Sequence, residues 1–166
     1  ANAAERSGRN PSDVLLLAVT KTIDNERIRE AVDAGLGELG ENKVQEIMDK
    51  YDTLERDVKW HMIGHLQTNK LKMVLPYVSL VQSVDSVRLL DAINAWGAAN
   101  GKVIDVLLEP HVAAEETKQG FTAEEIFEIL SDAERYGNVR FCGIMGMATF
   151  TDDESVIRSD FAALRS

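Results

Sequence analysis

Lys21 stands between Thr20 and Thr22 at the end of the apolar run in "LLLAVTKT". An ammonium is among the groups least willing to be buried, so a core strand that delivers one at its tip has either reached water or built a site. An amine desolvated at the top of an apolar strand gives up its proton more readily and becomes a nucleophile that can condense with a carbonyl carbon. The same position also suits a lysine that carries its charge out to solvent along its own stem. Spacing alone does not choose between the two.

Other residues invite chemistry and mostly decline it. His61 and His65 in "HMIGH" lie four apart, the spacing by which helical histidines share zinc. This segment lacks the metalloprotease glutamate, contains Gly64, and reads as a strand followed by a turn, so no metal site is expected. "GHLQTNK" lacks the second glycine of a phosphate loop. Glu38 and Glu41 could act as the acid and base of a hydrolase. In a chain with 28 acidic residues such a pair is ordinarily solvated or salt-bridged, and nothing in the sequence raises one pKa over the other. Cys142, inside "VRFCGIM", is the single cysteine and reads as a small core residue with no neighbour to activate its thiol.

The elements that must position these groups alternate along the whole chain. "VLLLAV" (Val14–Val19) is a strand ahead of "DNERIREAVDAG", where Ile28, Ala31 and Val32 recur at helical spacing, Asp24 is a candidate N-cap and Gly35 a stop. "GELGE" precedes "NKVQEIMDKY" with its stripe of Val44, Ile47, Met48 and Tyr51. "KWHMIG" precedes "HLQTNKLKMVL", and "VSLVQSV" precedes "DSVRLLDAINAWGAANG". "KVIDVLLE" leads to "TAEEIFEILSDAERYG", which opens with a Thr122 and Glu125 capping box and turns Ile126, Ile129 and Leu130 inward. "VRFCGIMGMA" precedes "DDESVIRSDFAALRS". Six βα units in one domain over residues 1–166 follow, with no linker between them.

Near-continuous Val, Ile and Leu in the strands points to a parallel sheet, apolar on both faces and covered by helices. Periodicity leaves two architectures open, a doubly wound sheet and part of a (β/α)8 barrel. In either, ligands bind at the carboxyl ends of the strands, where "TKT", "GEN", "GHLQTNK", "SVDS", "EPH" and "ATFTDD" collect.

Composition narrows the partners. A net charge of -10, with basic residues scattered, argues against nucleic acid. No apolar run is long enough to span a bilayer and the start lacks a signal-peptide core, so a cytoplasmic protein without membrane attachment is expected. One cysteine agrees with a reducing compartment.

Taken together, "LLAVTKT", "ELGENKVQE", "WHMIGHLQTNK", "VQSVDS", "EETKQGF" and "GIMGMATF" resemble, in order and separation, the pyridoxal phosphate homeostasis proteins, whose barrel is similar to the N-terminal domain of alanine racemases. The resemblance runs over nearly the whole chain. It implies a TIM-type (β/α) barrel and a role in holding and buffering pyridoxal 5'-phosphate (PLP) as a Schiff base on Lys21, without defined turnover. It further implies that Asn42, His65 and Met145 lie beside the cofactor, and that PLP-dependent apoenzymes are the recipients. Read as residues alone, Asn42 and His65 could equally be helix caps, and Met145 ordinary core. The rivals are a PLP-dependent racemase or lyase and a cofactor-free interaction scaffold.

Two departures from the family pattern stand out. After the fifth strand the chain reads Glu109-Pro110-His111, and Pro110 offers no N–H to a central ladder, so the strand should end before it. The family continues through two more βα units that carry its phosphate cup and an arginine near the pyridine nitrogen. The chain is therefore expected to be C-terminally truncated and an incomplete barrel, to bind PLP weakly or not at all, and to shield its open edge by forming a homodimer or by an altered closure.

Overall fold

The computed structural model describes residues 2–54, 57–111 and 120–165. Six strands, β1 (Ala18–Val19), β2 (Glu38–Glu41), β3 (Lys59–Met62), β4 (Val78–Val84), β5 (Ile104–Leu108) and β6 (Val139–Ile144), form one parallel sheet in chain order. A doubly wound sheet reverses its strand order at a switch point, whereas a barrel wall adds each strand beside the last. The sequential order therefore decides for the barrel wall. Among the described residues β1 pairs with β2 alone and β6 with β5 alone, so the wall is open between them.

Helices α1 (Asn2–Arg6), α2 (Asn25–Asp33), α3 (Val44–Leu54), α4 (Leu71–Val74), α5 (Val87–Asn100), α6 (Ala123–Ser131) and α7 (Glu154–Arg165) surround this wall. Their starts follow local chemistry. Asp24 Oδ1 accepts the Arg27 N–H at 2.9 Å and caps α2, and these backbone donors hold its carboxyl below the usual range. At α6, Thr122 Oγ1 accepts from Glu125 N and the Glu125 carboxylate accepts from Thr122 N, the capping box the sequence predicts. Gly101, at φ 61°, ends α5 in the left-handed region.

One face of the sheet meets the helices. Leu39, Trp60, Met62, Val81, Val106 and Leu108 pack in one core with Ile28, Ile47, Val74, Leu90 and Ile93, all essentially removed from water. Each such side chain contributes roughly 1.5–3 kcal/mol. The expectation of two apolar faces holds for this one only. Elsewhere Glu38, His61 and Gln82, from three consecutive strands, form a hydrogen-bonded row, with His61 Nε2 2.7 Å from Glu38 Oε2 and Nδ1 2.8 Å from Gln82 Nε2. A further pair, Asp105 and Arg140, joins β5 to β6.

The edges differ most from the sequence reading. β1 is two residues long, not the run Val14–Val19, and Val14, Leu15 and Leu16 are exposed, Leu16 at 72%. No described strand lies on their outer side to cover them. Cys142, expected in the core, is exposed on β6 for the same reason, and α7 buries none of its residues. Leu130 and Tyr51 also face outward. Leu130 lies in the last turn of a short helix, and Tyr51 packs edge-on against Tyr77 at 4.7 Å. β5 ends at Leu108, ahead of Pro110, which makes only an isolated bridge to Phe121. Among the described residues no helix is long and apolar enough to cross a membrane.

Candidate functional site

The four residues singled out in the sequence all follow strand carboxyl ends: Lys21 after β1, Asn42 after β2, His65 after β3 and Met145 after β6. Lys21 is exposed, in a turn whose next residue, Thr22, has φ 63°. A β-branched residue rarely adopts that conformation, and it persists only where neighbours enforce it. The neighbours are present. Lys50 Nζ, reaching back from α3, donates to the Thr20 carbonyl at 2.7 Å and to Glu41 Oε1 at 2.6 Å. The Thr20 hydroxyl donates to the same Glu41 oxygen at 2.7 Å, and the Thr22 N–H faces the Glu46 carboxylate.

Asn42 and His65 come together. A Cβ on Gly64 would lie 2.7 Å from Asn42 Cα, so the glycine permits the two loops to touch. Both side chains line one cleft of about 250 Å³ with Gln45, Gln67, Lys43 and Lys70. His65 also borders a second cleft of about 390 Å³ with Asp85, Ser86 and Arg88. Neither Lys21 nor Met145 lines these clefts. Met145 is half-buried, its N–H bound to the Leu108 carbonyl at 2.9 Å.

Several groups at this end escape sequence reasoning. Asp85 holds the His65 ring from the end of β4 at 2.8 Å, and the Ser83 hydroxyl donates to the Gly64 carbonyl at 2.6 Å. Burial, then the nearby Asp85 charge, pushes the Glu109 carboxyl up against the opposing pull of His65. The "SVDS" polar cluster is the only signal for Asp85; its pairing with His65 spans 20 positions and has no local signature.

Glu38 and Glu41, which nothing in the sequence tells apart, are driven in opposite directions. Burial raises Glu41 despite bonds from Lys50 and Thr20. Burial acts on Glu38 too, but hydrogen bonds from Lys59 and His61 outweigh it and hold its carboxyl low. Among the described residues no group of His, Cys, Asp and Glu could hold a metal ion. Of the "EETKQGF" motif, Glu115–Gln119 lie outside the described residues.

The geometry fits an aldehyde-bearing aromatic ligand in part: an exposed primary amine in a braced turn and, one and two strands away, an amide and an imidazole at one cleft. The family model described as alanine racemase, N-terminal domain, matches residues 1–166. The pyridoxal phosphate homeostasis protein of Aquifex aeolicus is 39% identical over 164 residues, covering 98% of this chain and 72% of that protein. A crystal structure of a protein from Bifidobacterium adolescentis is 35% identical with a TM-score of 0.90, covering 99% of this chain and 71% of that one. PipY of Synechococcus elongatus, solved with PLP bound, is 27% identical with a TM-score of 0.79, covering 99% of this chain and 80% of that one.

Proposed function

This chain belongs to the alanine racemase N-terminal domain family, and on that footing we propose that it holds PLP on Lys21 and serves in PLP homeostasis. The observation that carries the reading is the placement of Lys21: an exposed amine at the carboxyl end of the first strand, in a turn fixed from three sides. When bound, PLP supplies an aldehyde carbon that condenses with such an amine. In this reading Asn42 and His65 contact the ring substituents from their shared cleft, and Met145 packs against the ring. PLP-dependent apoenzymes are the recipients, and a homodimer covers the open edge.

Incubation with PLP, reduction with borohydride and mass mapping tests the proposal. A pyridoxyl adduct on Lys21, absent in Lys21→Ala, is the expected result; no adduct on the wild-type chain removes the cofactor reading and leaves a scaffold.

A second reading, an amino-acid racemase or lyase, is favoured by one observation. Asp85 fixes His65 as a braced acid-base group at the mouth. Incubating PLP-loaded protein with an L-amino acid in deuterated water separates the two. Steady deuterium uptake at Cα supports catalysis, and its absence supports carriage.

A further inference from the structure

Glu41 ends β2 with its side chain wholly enclosed, at 0% exposure. Its Oε1 is crowded, with the Thr20 hydroxyl and the Lys50 ammonium both donating to it. Among the described residues its Oε2 has no hydrogen-bond partner, and neither does the equally buried Oε2 of Glu46. The two side chains lie within hydrogen-bonding reach of each other.

Two ionised carboxylates cannot satisfy this arrangement. Each would keep a desolvated oxygen without a donor, and their charges would repel across a largely buried contact. One hydrogen atom repairs both faults, because a carboxylic acid donates where a carboxylate only accepts. Charge gives the same answer. With one proton the pair carries a single negative charge, which the enclosed Lys50 ammonium balances. Without it, two charges face one enclosed cation, since Lys43, at 3.8 Å from Glu46, is 76% exposed.

We propose that Glu41 and Glu46 share one proton, as a clasp that positions the Lys21 turn. The proton sits on Glu41 Oε2 and is donated to Glu46 Oε2. The local field agrees: burial raises the Glu41 carboxyl, whereas the hydrogen bond from Glu41 is the chief influence holding Glu46 low. The charged and donor groups facing the pair are Lys50 and Lys43 of the α3 segment, with the Thr20 hydroxyl and Thr22 N–H of the turn. Through them the clasp grips the chain on both sides of Lys21 and holds Thr22 in its left-handed conformation. Glu41, Glu46 and Lys50 are positioning residues, and their effect on cofactor capture rests on the reading of Lys21 as the anchor.

The substitutions Glu41→Gln and Glu46→Gln each replace the shared proton with an amide N–H and keep the single negative charge. Infrared spectra at neutral pH should show a protonated-carboxyl band in the wild-type chain. The band should vanish in either glutamine variant, since the remaining glutamate is then ionised. Amide exchange followed by NMR should keep Thr22 protected in Glu46→Gln and lose about ten-fold protection in Glu46→Ala. Borohydride trapping of PLP at Lys21 should run near the wild-type rate in both glutamine variants and about ten-fold slower in Glu41→Ala, the displaced amine no longer being aimed.

A wild-type chain without the acid band, or a band that survives both glutamine substitutions, overturns the shared proton whether or not any variant folds. Undiminished Thr22 protection in Glu46→Ala overturns the grip on the turn. If the wild-type chain traps no PLP, the anchor reading fails, while the infrared and exchange results still judge the clasp.

Discussion

Nδ1 of His65 lies 2.8 Å from Oδ2 of Asp85, tying the loop after β3 to the end of β4. An ionised carboxylate only accepts, so in its neutral form the ring carries its proton on Nδ1 and leaves Nε2 as an acceptor. Long-range proton–nitrogen NMR should find this tautomer in the wild-type chain. Asp85→Asn, whose amide can also donate, should shift the ring toward the Nε2–H form; an unchanged tautomer would mean that Asp85 does not set it.

Lys21 is exposed, and among the described residues no hydrogen bond of the turn runs through its side chain. Lys21→Ala should therefore abolish the trapped pyridoxyl adduct while changing stability by no more than about 0.5 kcal/mol. Denaturant titration beside the trapping assay checks both halves, and a large loss of stability would show a structural role.

Gly64 has no room for a side chain against the Asn42 backbone. Gly64→Ala should cost about 1–3 kcal/mol as the loops after β2 and β3 are forced apart. The same substitution should separate Asn42 from His65, which loss of the cross-loop contacts in NMR would report. Gly37, with open space around its Cβ position, serves as the control, and Gly37→Ala should leave those contacts intact.

Glu38 is held below the ordinary carboxylate range: burial opposes this, but the bonds from Lys59 and His61 prevail. A group lowered in the folded state stabilises the fold above its unfolded pKa. That contribution fades as pH falls through the folded value. Glu38→Gln should therefore flatten the acid limb of a thermal-midpoint profile. A limb as steep as the wild type's would assign acid lability to other carboxylates.

Local signals in the amino-acid order are the ones that translate directly into structure. Thr122 and Glu125 announce their helix start because a capping box is local, and Pro110 announces the end of β5 because a missing N–H is local too. Lys21 is legible as a strand-tip amine. Its clasp is not, since Glu41 and Lys50 come from different elements and Lys50 reads as one more surface lysine of α3. Cys142 and Leu16 mislead because apolar neighbours predict burial only if another strand covers them. Barrel and doubly wound sheet share one periodicity, and only the order of the strands separates them.

That order also bears on how the chain acquires its shape. Every described strand after the first pairs with the one made just before it, so each new βα unit has a finished template waiting as it leaves the ribosome. Growth can then travel in one direction, with short loops closed at each step and no strand left searching for a distant mate. Injury near β2 or β3 should thus stall assembly of everything downstream, whereas injury near β6 should leave the earlier units able to form.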